Sequence, residues 1–529
     1  MSLNLVIKNG KVVDGSGNPW FEADVGIADG KIVQVGQNID AGCAANVIDA
    51  SGLMVSPGFI DMHGHDDCVP FYDPFNKPKL LQGVTTVVSG NCGTSPFPVN
   101  FATTNILKRY LSTLVNKVEF DWNTFGQFIQ RLSSIALGIN FAYLVGHGSI
   151  RIAVMGMENR EPAPAELEKM KDLLAQCLAE GAYGFSTGLI YPPGVFATTR
   201  EIIELGKVVA EYSGIYVTHM RDEGDRILEA MDEAFRVGKE AGIPVHISHH
   251  KVAGIRNWGR SAETLRKIEQ AREDGLDVTA DAYPYTAGSS FLAALLPPWV
   301  HDGGEEKLIE RLKSKEQRVE IRQFIEERTD WQNFMKQVKG WDSVLITHTA
   351  KNKELEGKTL LEVAEELGKD PFETLFDIVA EEGYQAFMVI FMMDEQDVER
   401  IISHPYVCIG TDGTSDTGAG LPHPREYATF PRVLGTYVRE RRLMTVEEAV
   451  RKMTSLPAQR CGFSSKGLLR EGFDADITIF NPVTVAADAT YQNPRTGVKG
   501  IEYVIVGGTV AVSQGKLTGT KAGKVLLRR

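Results

Sequence analysis

From about residue 57 to residue 460, short apolar runs alternate with amphipathic helical segments, and this alternation constrains the fold more than any other feature of the chain. An apolar run of five or six residues suits a strand buried on both faces, as in a parallel sheet covered by helices. Candidate strands fall at residues 59–63, 84–89, 141–146, 183–187, 215–219, 245–249, 278–283 and 407–411. Between them, Leu167, Met170, Leu174, Cys177 and Leu178 recur on one helical face, as do Ile227, Leu228, Met231 and Phe235. Eight strands alternating with helices predict an α/β fold, a TIM-like (β/α)8 barrel. The alternative is an open doubly wound sheet, which places a glycine-rich phosphate turn after its first strand. This chain has His63-Gly64-His65 there.

The two ends of the chain read differently. Residues 1–56 are strand-rich: Leu5–Lys8 and Lys11–Val13 flank Asn9-Gly10, and further strands flank Asp29-Gly30, both favoured hairpin dipeptides. Residues 466–529 repeat the style around 475–480 and 503–510. Both termini are therefore expected to build one small β-sandwich domain (1–56 with 466–529) beside a barrel domain at 57–465. The stretch from about 287 to 405, between the seventh and eighth strands, is too long for one loop and helix. It predicts an inserted subdomain around 287–350, with helical segments near 305–328 and 360–382 and a strand at 344–348.

A net charge of −13 argues against a nucleic-acid partner, because a phosphate backbone needs a basic surface. No apolar run is long enough for a membrane span, and no signal peptide is evident. The six cysteines, Cys43, Cys68, Cys92, Cys177, Cys408 and Cys461, lack framework spacing, so a cytoplasmic location is expected.

Active sites of such barrels sit at the C-terminal ends of the strands. Here those ends carry His63 and His65, then Cys92, His219, His249 with His250, and Asp412. His, Cys and Asp are all metal-competent, and five such ends together predict a divalent metal such as zinc. Asp61, Asp66 and Asp67 are expected to accept hydrogen bonds from the histidine rings. His250 points away from His249 on an extended backbone.

These residues also carry a resemblance. The segments are 58–67 (GFIDMHGHDD), 90–93 (GNCG), 186–188 (STG) with 191–193 (YPP), and 218–223 (THMRDE). They continue with 247–251 (ISHHK), 281–285 (DAYPY), 423–425 (HPR) and 429–432 (TFPR). In that order they resemble the N-acyl-D-amino-acid deacylases, or D-aminoacylases, of the amidohydrolase superfamily. The resemblance implies hydrolysis of the amide of a small N-acyl-D-amino acid, with zinc as cofactor. Cys92, His219 and His249 would hold a tight zinc, and His63, His65 and Asp412 would face a second, weaker position. Asp412 would be general base and then general acid. Lys251, Arg425, Tyr283 and Ser289 would hold the substrate carboxylate, and Ile190 and Tyr191 would wall the pocket, Ile190 suggesting a neutral apolar side chain. Glu223 reads as a structural partner of nearby arginines. Many relatives carry a carboxylated lysine on the fourth strand; residues 182–188 contain none. That absence argues against the rival reading, a cyclic-amide hydrolase of the dihydroorotase or hydantoinase kind. A non-catalytic scaffold of the same fold is the other rival, and the full set of ligands argues against it.

Overall fold

A computed structural model describes residues 3–42, 44–115, 118–414 and 418–528; Cys43 lies outside them. Parallel strands in sequence order form its middle. Phe59–Asp61, Val84–Ser89 and Asn140–Tyr143 make one sheet. One residue on, Val145–Gly146 starts a second, joined in order by Gly184–Gly188, Ile215–His219, Val245–Ile247, Val278–Ala282 and Val407–Ile409. The third strand thus contributes to both sheets. At the other edge, Gly64–His65 pairs in parallel with Gly413–Thr414, and Asp412 N donates to His63 O at 2.7 Å. The segments that follow the first and eighth strands therefore meet where the site residues lie.

Helices Pro164–Ala179, Thr199–Glu211, Ile227–Ala241 and Ser261–Glu273 connect successive strands. Each buries an apolar stripe: Met170, Leu174, Cys177 and Leu178 in the first, Ile227, Met231, Ala234 and Phe235 in the third. Burying a large side chain of this kind contributes about 1.5–3 kcal/mol, so these stripes fix the helices to the sheets. Leu228 turns out half-buried at the edge of its stripe. Among the described residues, no helix is long and apolar enough to cross a membrane.

A nine-stranded sheet joins the two ends of the chain. Ile477–Phe480 runs antiparallel to Met54–Pro57, with Leu5–Val12, Phe21–Ala28 and Lys31–Gly36 on one side and Ile501–Val506 and Thr509–Ser513 on the other. Ile7, Val25, Ile477 and Ile505 pack together on it. The hairpin expected at Asn9-Gly10 does not form. Leu5–Val12 is one strand whose register against Phe21–Ala28 shifts between Ile7 and Gly10. Asn9 adopts φ 58° and its N–H goes to Asp24 Oδ1, so the dipeptide makes a bulge. Asp29-Gly30 does close a two-residue turn, Ala28 pairing with Lys31. The last described residues return to the third strand: Leu526 N donates to Phe141 O and Phe141 N to Lys524 O.

Between the seventh and eighth strands, pairing extends past residue 350. An antiparallel sheet there takes Ala287–Phe291, Phe387–Phe391 and Val344–His348 in that spatial order. The expected helical segments each split in two, Glu305–Lys313 and Lys315–Glu327, then Leu360–Leu367 and Pro371–Glu382. Ser314 caps the second helix, and Gly368 in a left-handed conformation ends the third.

Candidate metal centre

The strands stop short of the expected limits because the site residues leave extended geometry. Val245–Ile247 ends two residues before His249, and Val407–Ile409 three before Asp412. Cys92, His249 and Asp412 take φ of 50°, 33° and 47°, a region that costs a side-chain-bearing residue of order 1 kcal/mol or more. Tight packing enforces the turn at Asp412. A Cβ added at Gly410 would lie 2.8 Å from His63 Cβ, and one at Gly413 would lie 2.1 Å from Glu426 Oε2.

The turns bring the side chains together. Cys92 Sγ lies 3.3 Å from both His63 Nε2 and His249 Nε2, and His249 Nε2 lies 2.9 Å from His219 Nδ1. Asp412 Oδ1 is 3.3 Å from His65 Nε2 and 3.6 Å from His63 Nε2. All six residues are buried. Burial opposes ionisation of the Cys92 thiol, but the His249 and His63 imidazoles outweigh it and hold the thiol well below its ordinary range. Burial likewise opposes the Asp412 charge, and Arg425, with Nη1 2.9 Å from Asp412 Oδ2, outweighs it. Asp412 is ionised and accepts only.

Two residues hold this cluster in ways the sequence did not reveal. Asp281, at the end of the seventh strand, has Oδ2 3.1 Å from His63 Nδ1 and 2.9 Å from His246 Nε2, while Oδ1 accepts the His249 N–H at 2.8 Å. It does what was expected of Asp61, Asp66 and Asp67. Of those three, Asp61 accepts instead from the Thr411 backbone and hydroxyl, and Asp66 from Asn76. Asp281 stands in the same strand-end position as the histidines, which is the signal that could have found it. Glu223 is the second. Its carboxylate contacts Lys251 at 2.6 Å, His249 Nδ1 at 3.0 Å and His219 Nε2 at 3.5 Å. Its expected arginine partnership is replaced, since Arg221 pairs with Glu233.

A pocket of about 850 Å³, counting its open mouth, lies over the cluster. His65, Cys92, His219, His249 and Asp412 line it, with Lys251, Tyr283, Ser289, Arg425 and Tyr191 from the expected substrate set. Arg425 stacks 4.6 Å over the Tyr283 ring. Arg425 Nε and Tyr283 Oη are buried without a hydrogen-bond partner among the described residues, which suits an anionic ligand. Lys251 Nζ is tied to Glu223 and to His249 Nδ1, both at 2.6 Å. Phe291, Phe387, Ile390 and Met392 supply the apolar wall. Ile190 is not part of that wall; it lines an adjoining hollow. His250 turns away to Thr264 Oγ1 at 2.9 Å.

The donor set fits zinc. A thiol poised as thiolate, three imidazoles and two carboxylates lie in two overlapping groups, His63-Cys92-His249-Asp412 and His219-Glu223-His249, the ligand atoms of each within 4.8 Å of one another. Soft sulfur with imidazole nitrogen suits zinc better than magnesium or calcium.

Comparison with known proteins agrees with this chemistry. The profile of the amidohydrolase family matches residues 46–512. A D-aminoacylase of Alcaligenes xylosoxydans xylosoxydans is 40% identical over 99% of this chain and 98% of its own. The crystal structure of an N-acyl-D-glutamate deacylase of Bordetella bronchiseptica, complexed with zinc and a phosphonate mimic of the tetrahedral intermediate, superposes with a TM-score of 0.85. It is 35% identical, and the match covers all of both chains. A D-aminoacylase solved for its binuclear metal centre, with one-metal activation and second-metal attenuation, matches at TM-score 0.85 and 37% identity, again over all of both chains.

Proposed function

Because this chain belongs to the amidohydrolase family, we propose that it is a zinc-dependent N-acyl-D-amino-acid deacylase, splitting the amide to release a carboxylic acid and a D-amino acid. The observation that carries the reading is the convergence of Cys92, His219, His249, His63, His65 and Asp412 beneath a pocket with unsatisfied Arg425 and Tyr283 donors. Cys92, His219 and His249 would hold the tight zinc, and His63, His65 and Asp412 would face a weaker second position. When bound, zinc supplies Lewis acidity, polarising the acyl carbonyl and making water a nucleophile near neutral pH.

The protein groups do the rest. Arg425 and Lys251, with Tyr283 and Ser289, bind the substrate carboxylate and set the amide over the cluster. Asp412 accepts the proton of the attacking water. It then gives that proton to the nitrogen, which leaves as an amine only once protonated. Asp281 holds the His63 ring in register, and Glu223 does the same for His249.

The strand order supports a closed (β/α)8 barrel at 57–465. The mixed sheet of both ends supports a small β-sandwich domain at 1–56 and 466–529. The five described cysteines are free and buried, as suits the cytoplasm.

Side-by-side assay of N-acetyl-D- and L-amino acids and of hydantoins tests the activity. Preferential hydrolysis of the linear D-substrates is expected. Preference for hydantoins, or inertness toward every N-acyl amino acid, would overturn the assignment.

A further inference from the structure

Phe291 and Phe334 line both the catalytic pocket and a second, adjoining hollow. That hollow encloses about 1340 Å³ counting its open mouth, and Phe196, Trp299, Phe324 and Trp331 line it as well. The turn that carries Tyr191 into the catalytic pocket gives Ile190 and Pro192 to the hollow. The charged groups at its edge already have partners. Arg221 is bound by Glu233 and by the carbonyls of Val195 and Ala197. Arg226 is bound by Glu229 and Asp330 O, the Asp330 carboxylate by Arg328 and His301 by Tyr384, and Asp222 accepts the Gly224 N–H. The hollow therefore suits an uncharged apolar group. Another space beside the catalytic pocket, which shares Tyr110, has Arg109, Glu305 and Glu306 in its walls and does not.

We infer that the aromatic hollow takes the acyl end of the substrate, and that long alkyl or aryl N-acyl groups are preferred over N-acetyl. This rests on the deacylase reading and deepens it. The orientation follows from where the parts lie along the chain. Lys251 and Arg425, which would hold the carboxylate, follow the sixth and eighth strands. Residues 190–196 and 221–226 of the hollow follow the fourth and fifth. The amino-acid and acyl portions lie on opposite sides of the scissile bond. With the carboxylate toward the former strands, the acyl group leads toward the latter, past Tyr191. The Tyr191 ring is 5.0 Å from that of His219 and 5.3 Å from that of Phe291.

The test is kcat/KM of the zinc-loaded enzyme for N-acetyl-, N-hexanoyl-, N-octanoyl- and N-phenylacetyl-D-leucine. Each fully buried methylene contributes roughly fourfold, so even about two buried out of the six that N-octanoyl-D-leucine adds should raise it above the acetyl compound by about tenfold or more. Ala294 is half-buried and lines the hollow. Ala294→Trp should abolish the gain while leaving kcat/KM for the acetyl substrate within about twofold of its starting value. Trp299→Ala removes a wall from the same space, and should lower the octanoyl and phenylacetyl rates selectively if the tryptophan variant does not fold. Rates that are flat or fall with acyl length, or variants that alter acetyl and octanoyl hydrolysis equally, would overturn the inference. A failure of the deacylase reading looks different: no N-acyl-D-leucine would be cleaved, acetyl included, and both proposals would fall.

Discussion

Cys92, His249 and Asp412 were legible as ligand candidates because each follows an apolar strand, but their left-handed backbone was not. Nothing in Gly90-Asn91-Cys92 or Ser248-His249 signals φ near 50° or 33°; the conformation is imposed by packing from several strands at once. Asp412 is the easiest of the three to isolate. Asparagine keeps its shape and cannot accept the water's proton, so Asp412→Asn should lower turnover by roughly 10²–10⁴-fold. Zinc content should be retained through Cys92, His219 and His249, and wild-type turnover would remove Asp412 as the proton carrier. Arg425 makes a second claim. A charged hydrogen bond to the substrate carboxylate contributes about 1.5–3 kcal/mol, so replacing that carboxylate with a primary amide should cost roughly ten- to a hundredfold in kcat/KM. Arg425→Ala should lower both rates, since it also frees Asp412, and bring them together. A variant that separates the two substrates as the parent does would place the carboxylate elsewhere.

Between elements, the connection that matters most is that of the first strand to the segment after the eighth, and a buried polar knot lies across it. Lys79 Nζ lies 3.1 Å from Asp61 Oδ2, 3.5 Å from Asp66 Oδ2, 3.7 Å from Glu426 Oε2 and 2.5 Å from Thr411 Oγ1. Lys79 is fully buried. These carboxylates seize the ammonium against its desolvation and push its pKa above the ordinary lysine value. Lys79→Met should destabilise the fold by about 3–5 kcal/mol, because it leaves buried carboxylates without their counter-charge. Urea unfolding would read this as a lower midpoint at unchanged slope, and a loss below about 1 kcal/mol would show that the knot is dispensable. The strands themselves were easy to find, since 84–89 and 215–219 are rich in β-branched and aromatic residues. The knot was not, because a lysine at 79 in a polar stretch looks like any solvated lysine, and only the meeting of 61, 66, 411 and 426 in space explains it.

At the scale of the whole molecule, the chain returns on itself twice: once when Ile477–Phe480 pairs with Met54–Pro57, and again when the last residues reach the third strand. The first return was foreseeable from two strand-rich ends; the second was not, since 521–528 has no strand signature. Arg528 N donates to Gly181 O, and Leu526 N to Phe141 O. Removing residues 521–529 should lower the melting temperature by about 1–2 °C, as a loss of about 1–2 kcal/mol does for a chain of this size, with kcat unchanged because the site lies at the opposite strand ends. An unchanged melting temperature would show that the tail only decorates the surface.

The central claim is that a zinc held by a thiolate and imidazoles makes this pocket a hydrolase. It is tested most directly by stripping the protein with a chelator, titrating zinc back, and following bound metal together with hydrolysis of an N-acyl-D-leucine. Activity should return in step with the first equivalent of zinc. Cys92→Ala should bind that equivalent far more weakly and stay nearly inactive while remaining folded. Full activity in the stripped protein, or stoichiometric zinc and wild-type rate in Cys92→Ala, would contradict it.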